Sequence, residues 1–72
     1  MIDPAQIDNA FTYHSPTDEQ IQKFQILRVQ ARQLAHTINA QCPDSREKNE
    51  SMNHLDAVIM FANASIARHD NG

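Results

Sequence analysis

The chain has one glycine, Gly72, one cysteine, Cys42, one tyrosine, Tyr13, and no tryptophan. Each scarcity removes a class of explanation. With its only glycine at the last position, the sequence has no P-loop and no dinucleotide-binding turn, both of which need glycines to bring backbone amides close to a phosphate. A single cysteine excludes a disulfide framework within the chain and fits a reducing compartment; Cys42 is expected as a small buried hydrophobe near a helix end. The four histidines, His14, His36, His54 and His69, lack the close pairing of a zinc site on one helical face, so neither a metal nor another cofactor is expected. No apolar run is long enough to span a membrane, and Met1-Ile2-Asp3-Pro4 lacks the basic region of a signal peptide, which points to a cytoplasmic protein without a membrane partner. A formal net charge of -3 argues against binding to long nucleic acid, which depends on many lysine and arginine contacts. It leaves room for one small anion in a local basic pocket.

What is present reads as helix from end to end, an all-α chain forming one domain over residues 1–72. Asp3 followed by Pro4 is a helix-start signal, and a short helix is expected over residues 3–9 with Ile7 as its apolar anchor, followed by a loop to residue 16. Thr17-Asp18-Glu19-Gln20 has the spacing of a capping box and opens a long helix over about 17–41. Cys42-Pro43-Asp44 ends it, because proline disfavours helical geometry in the residue before it and cannot extend the ladder. Asp44 and Glu47 repeat the capping arrangement, so a second long helix is expected over about 45–69, with Asn71 and Gly72 suited to a terminal cap. Two helices of roughly 36 Å joined by a tight turn should lie antiparallel, as an α-hairpin.

The apolar positions recur by threes and fours. Ile21, Phe24, Leu27, Ala31, Leu34, Ala35 and Ile38 form the expected inner stripe of the first long helix, answered by Met52, Leu55, Ile59, Ala62 and Ile66 on the second. The second helix carries more: Ala57 to Ala62 are apolar in succession and cover its whole circumference, which one partner helix cannot bury. Leaving Met60 and Phe61 in water would make a patch that small soluble proteins seldom tolerate. A domain of this size needs a supplement to its thin core, and a homo-oligomer is expected to supply it.

Two features suit ligand contact. The hexapeptide Phe11-Thr12-Tyr13-His14-Ser15-Pro16 precedes the first long helix, and Pro16 biases Ser15 toward an extended backbone, so the segment should lie across the helix start. Tyr13 then offers a flat ring that can stack on a base while its hydroxyl stays wet. The blander reading is that Phe11 and Tyr13 form an apolar cover over the helix ends, and Phe11 is expected to remain a packing anchor. Between Gln20 and Pro43 there are also three cations, Lys23, Arg28 and Arg32, and no carboxylate. Arg28 and Arg32 are one turn apart, neighbours on one face, where a guanidinium can take a phosphate through two parallel hydrogen bonds. Carboxylates from the second helix or another subunit are the alternative, with Asp56 and Glu50 available. Arg68 is a third cationic candidate, its blander role being to complement the negative end of its helix. Catalysis finds little footing: the chain has no nucleophile elbow, no paired carboxylates in an apolar pocket, and only His14 as a conceivable base, so no enzyme and no catalytic residue is expected.

Phe11 to Pro16, followed by Gln20, then Ala31, Leu34-Ala35-His36, Cys42-Pro43, Ser45-Arg46-Glu47 and Ala62-Asn63-Ala64-Ser65-Ile66-Ala67-Arg68, resembles the small phage anti-CBASS cyclic-oligonucleotide sponges, whose hairpin domain is shared with Thoeris anti-defence proteins. The resemblance covers about residues 9–69. It implies a compact helical protomer assembled into a hexamer that sequesters cyclic di- and trinucleotide immune signals, without cleaving them, in the cytoplasm of an infected bacterium. Tyr13 corresponds to the tyrosine that stacks on a base of a cyclic dinucleotide, and Arg28 to a lysine that contacts the phosphates. With Arg32 and Pro16 they make up the candidate dinucleotide site. His14, Asn63 and Arg68 fall in segments associated with a separate trinucleotide pocket. Ser15 stands where relatives often carry a second proline. The competing expectation is a structural or regulatory helical module whose apolar second helix binds another protein.

Overall fold

A computed structural model describes residues 1–70 of the chain, so the expected terminal cap at Asn71 and Gly72 lies outside the described residues. Three helices follow in order: α1 over Pro4–Phe11, α2 over Asp18–Gln41 and α3 over Arg46–His69. Each begins where a side chain can take a free backbone amide. The Asp3 carboxylate accepts from the Ala5 amide at 3.0 Å and Pro4 occupies the first helical position, where its missing N–H costs nothing. The helix runs two residues past the expected end, to Phe11. There the Thr12 hydroxyl donates back to the Asp8 carbonyl at 2.5 Å, satisfying one of the carbonyls a helix end leaves open.

At the start of α2 both halves of the expected capping box are present: the Gln20 amide donates to Thr17 Oγ1 at 3.2 Å and the Thr17 amide donates to Gln20 Oε1 at 3.0 Å. The helix closes at Cys42, whose backbone is extended as its following proline demands. For α3 the cap is Ser45 and not Asp44: Ser45 Oγ accepts from the Lys48 amide at 3.1 Å. Asp44 instead takes the Lys48 ammonium at 3.1 Å, and the same ammonium donates to the Asn39 carbonyl near the end of α2 at 3.0 Å. Ser45 and Asp44 are equally good caps by residue type. The decision falls to Lys48, whose side chain is only 11% exposed and ties both flanks of the turn together.

The molecule measures 44 × 34 × 13 Å, and its thinnest dimension is about one helix diameter. A single layer of helices has a seam and no interior. Accordingly no apolar residue among the described residues is buried; Phe24, Leu27, Ala31, Ala35 and Ile38 meet Met52, Leu55, Ile59, Ala62 and Ile66 as half-buried partners. Two members of the expected stripe, Ile21 and Leu34, are exposed, because they lie roughly 80° and 60° round the helix from the stripe's centre. Cys42 is exposed rather than buried, since it leaves the helix where no second layer could cover it. Phe11 is no anchor either: it is 87% exposed, with Ile2 and Ile7 beside it on an uncovered hollow at the open end of the hairpin. What holds α1 is polar, the Asn9 amide donating to the Arg68 carbonyl at 3.2 Å and the Arg68 guanidinium reaching the Ala10 carbonyl at 3.5 Å.

The accessible surface is 5954 Å². A compact monomer of 8.2 kDa would expose about 4500 Å². The surplus includes the patch anticipated on α3, where Val58, Met60 and Phe61 stand exposed on the single chain.

Candidate functional site

The loop between α1 and α2 is extended yet tethered at both ends. At its start the ring of His14 bonds the Asn9 carbonyl at 2.7 Å; a carbonyl can only accept, so this bond selects the imidazole form protonated on Nε2. At its end Thr17 is fixed by Gln20. Just ahead of the His14 anchor Tyr13 projects outward and is 84% exposed, the blander role as a cover over the helix ends being unfilled in the single chain.

Three shallow hollows surround this loop and continue along one face of the hairpin. The first, of about 430 Å³, has Tyr13, His14 and Ser15 on one side and Gln20, Arg68 and Asp70 on the other. The second, of about 350 Å³, brings together His14, Asn63 and Arg68, the residues of the expected trinucleotide set, and adds Arg28 and Phe24. In its wall the side-chain oxygen of Asn63 is buried without a hydrogen-bond partner among the described residues, an arrangement that costs about 1–3 kcal/mol unless a donor arrives. The third, of about 300 Å³, carries Arg28 and Arg32 over a floor of Met52, Leu55 and Ile59, with Asp56 also on its lining.

Arg28 is thus common to the second and third hollows, but Tyr13 shares neither of them. Pro16 is exposed and lines none of the three. Of the carboxylates expected to neutralise the arginines, Glu50 lies beside His54 at 3.8 Å, and Asp56 approaches the pair without forming an ion pair. Arg28 and Arg32 therefore present two free guanidinium groups among the described residues. Lys23, the third cation of α2, is engaged: its ammonium meets the Asp70 carboxylate at 2.5 Å, and that hydrogen bond, aided by the charges of Asp70 and Glu19, raises its pKa above the ordinary lysine value.

Several lining residues had no functional reading in the sequence. Phe24 reads as seam, and it also walls the second hollow because a one-layer seam has an open side. Ala64 and Ala67 line the same hollow beside Asn63 and Arg68. Gln20 reads as a cap alone. Its spacing gives no hint of the contact with Asp70 fifty positions away.

This arrangement defines a class: a small helical hairpin that offers free guanidinium groups, an exposed aromatic ring and an unpaired amide along open hollows. Among the described residues no three His, Cys, Asp or Glu side chains stand close enough to hold a metal ion, and no helix is long and apolar enough to cross a membrane. The chain belongs to the family of the Acb2/Tad1 hairpin domain, the anti-CBASS and anti-Thoeris sponges, whose family model matches residues 3–67. Neither a curated protein nor a solved structure matches it.

Proposed function

We propose that this protein is a non-catalytic sponge for cyclic dinucleotides, with a second pocket for cyclic trinucleotides, and that it acts in the cytoplasm of an infected bacterium to block CBASS-type defence. The observation that carries this reading is the pair of free guanidinium groups on Arg28 and Arg32 in a net acidic protein that also holds its one tyrosine exposed on a tethered loop. A base stacked on Tyr13 and phosphates held by Arg28 and Arg32, with Pro16 stiffening the loop, use each of these groups for what it does best. His14, Asn63 and Arg68 suit the trinucleotide, whose base amines can supply the donor that the Asn63 oxygen lacks.

Tyr13 and Arg28 line neighbouring hollows of one chain that share His14 and Arg68. A cyclic dinucleotide has two bases and two phosphates about an approximate two-fold axis, and a two-fold pair of chains supplies each residue twice. The hexamer implied by the resemblance contains such pairs.

The test is calorimetry with a panel of cyclic di- and trinucleotides, then heat denaturation and chromatography of the released ligand. Binding with recovery of intact ligand is expected. Failure of every cyclic nucleotide to bind removes the reading, and recovery of linear products replaces sponge with phosphodiesterase. The exposed Val58, Met60 and Phe61 favour a second reading, a structural or regulatory module that docks another protein on α3. Under that reading Tyr13→Ala leaves partner binding intact.

A further inference from the structure

The side chain of Asp56 has no structural duty. It is exposed in the middle of α3, away from the helix ends where a charge would meet the helix dipole. The positions one turn away on the same helix, Met52, Asn53, Ile59 and Met60, carry no cation for it. It lines the hollow of about 300 Å³ that also holds Arg28 and Arg32. Its carboxylate nevertheless makes neither an ion pair nor a hydrogen bond among the described residues.

A bare carboxylate beside phosphate-binding groups repels an anionic ligand, and that cost is offset only if it accepts a hydrogen bond from the same ligand. A nucleotide carries its donors on the base and on the sugar. The base is assigned to Tyr13, which lies outside this hollow. The ribose 2′-hydroxyl sits on the carbon next to the one that bears the 3′-phosphate ester, so a phosphate held by Arg28 or Arg32 keeps that hydroxyl within the hollow that Asp56 lines. Met52, Leu55 and Ile59 give the carbon face of the sugar an apolar floor.

We infer that Asp56 is a ligand-binding residue: its carboxylate accepts from the ribose 2′-hydroxyl beside the bound phosphate and restricts the site to ribonucleotides. The arginines hold a phosphate whatever sugar bears it, and the carboxylate tells one sugar from another. This rests on the reading of Arg28 and Arg32 as the phosphate-binding pair.

The test compares 3′,3′-cyclic diadenylate with its 2′,2′-difluoro analogue by calorimetry. Fluorine keeps the ribose-like pucker and cannot donate. The native protein should bind the fluorinated ligand about tenfold more weakly, the loss of one hydrogen bond to a charged acceptor. In Asp56→Ala, whose helical circular dichroism should match the native chain because alanine favours helix, the two Kd values should agree to within about twofold. The signs differ as well: Asp56→Ala should bind the ribonucleotide more weakly than the native protein does, but the fluorinated ligand at least as tightly, since for that ligand only repulsion is removed. Equal affinity of the native protein for both ligands overturns the inference and leaves the phosphate reading standing. So does a preference that survives in Asp56→Ala, or a ribonucleotide that binds Asp56→Ala more tightly than the native protein. Binding of neither ligand to the native protein overturns the inference together with the phosphate reading for cyclic diadenylate.

Discussion

At the scale of single residues, the candidate site mixes groups with little structural duty, Tyr13 and Arg28, with His14 and Arg68, which also tether α1 and its loop. Tyr13 is 84% exposed, so its replacement separates binding from folding: Tyr13→Ala should cost about 1–3 kcal/mol of affinity per stacked base, with no change in helical content, as read by calorimetry and circular dichroism. Arg28 has no partner among the described residues, so Arg28→Ala should weaken cyclic dinucleotide binding by about 1.5–3 kcal/mol and flatten its salt dependence, whereas Arg28→Lys keeps charge and loses only the bidentate geometry. Lys23 is different because it is already engaged. Its folded-state pKa is raised by the Asp70 bond, so the bond's contribution is complete below the unfolded lysine pKa of about 10.4 and is lost as pH rises through the raised value. Thermal denaturation across alkaline pH should show that loss, and Lys23→Met should show less of it.

At the scale of elements, the helices follow from local chemistry, and their ends show how far local chemistry reaches. The box at Thr17 is legible because both its partners lie within four residues. The start of α3 is legible to within one residue, but its cap is not: Asp44 and Ser45 compete, and the winner depends on Lys48 bridging back to Asn39 across the turn. Ser45→Ala should therefore destabilise the hairpin by about 1 kcal/mol in urea denaturation. Asp44→Ala, which removes only an exposed partner, should cost less than about 1 kcal/mol. Ile21 and Leu34 illustrate the same boundary. Spacing by threes and fours selects a face, but the width of the face actually covered depends on how many helices arrive to cover it, and here one does.

At the scale of the molecule, a layer 13 Å thick cannot enclose a core, and the surface it leaves is about a third larger than a compact chain of this mass would show. Association is the physical remedy, and under the proposed sponge reading a two-fold pair of chains would also supply Tyr13 and Arg28 twice. The melting temperature of the native protein should then rise with protein concentration, as it does when association stabilises the fold. Phe61→Asp, which places a charge in the exposed α3 patch, should abolish that rise and shift the mass measured by light scattering toward a single chain. A monomer at micromolar concentration in the native protein would instead leave the α3 patch to another partner.

The sequence by itself determined the helices, their caps in outline, the hairpin, the carboxylate-free cationic stretch and the likeness to a sponge family, because each is set by neighbours three or four positions apart or by an uninterrupted pattern. Tertiary structure decided what no such spacing encodes. It left Cys42 and Phe11 in solvent, because a single layer offers them no second surface. It gathered His14, Asn63 and Arg68 about one hollow and put Tyr13 and Arg28 at different ones, because antiparallel helices bring together residues tens of positions apart. It also gave Gln20 a second bond, at the far end of the chain, where the end of one helix meets the beginning of the other.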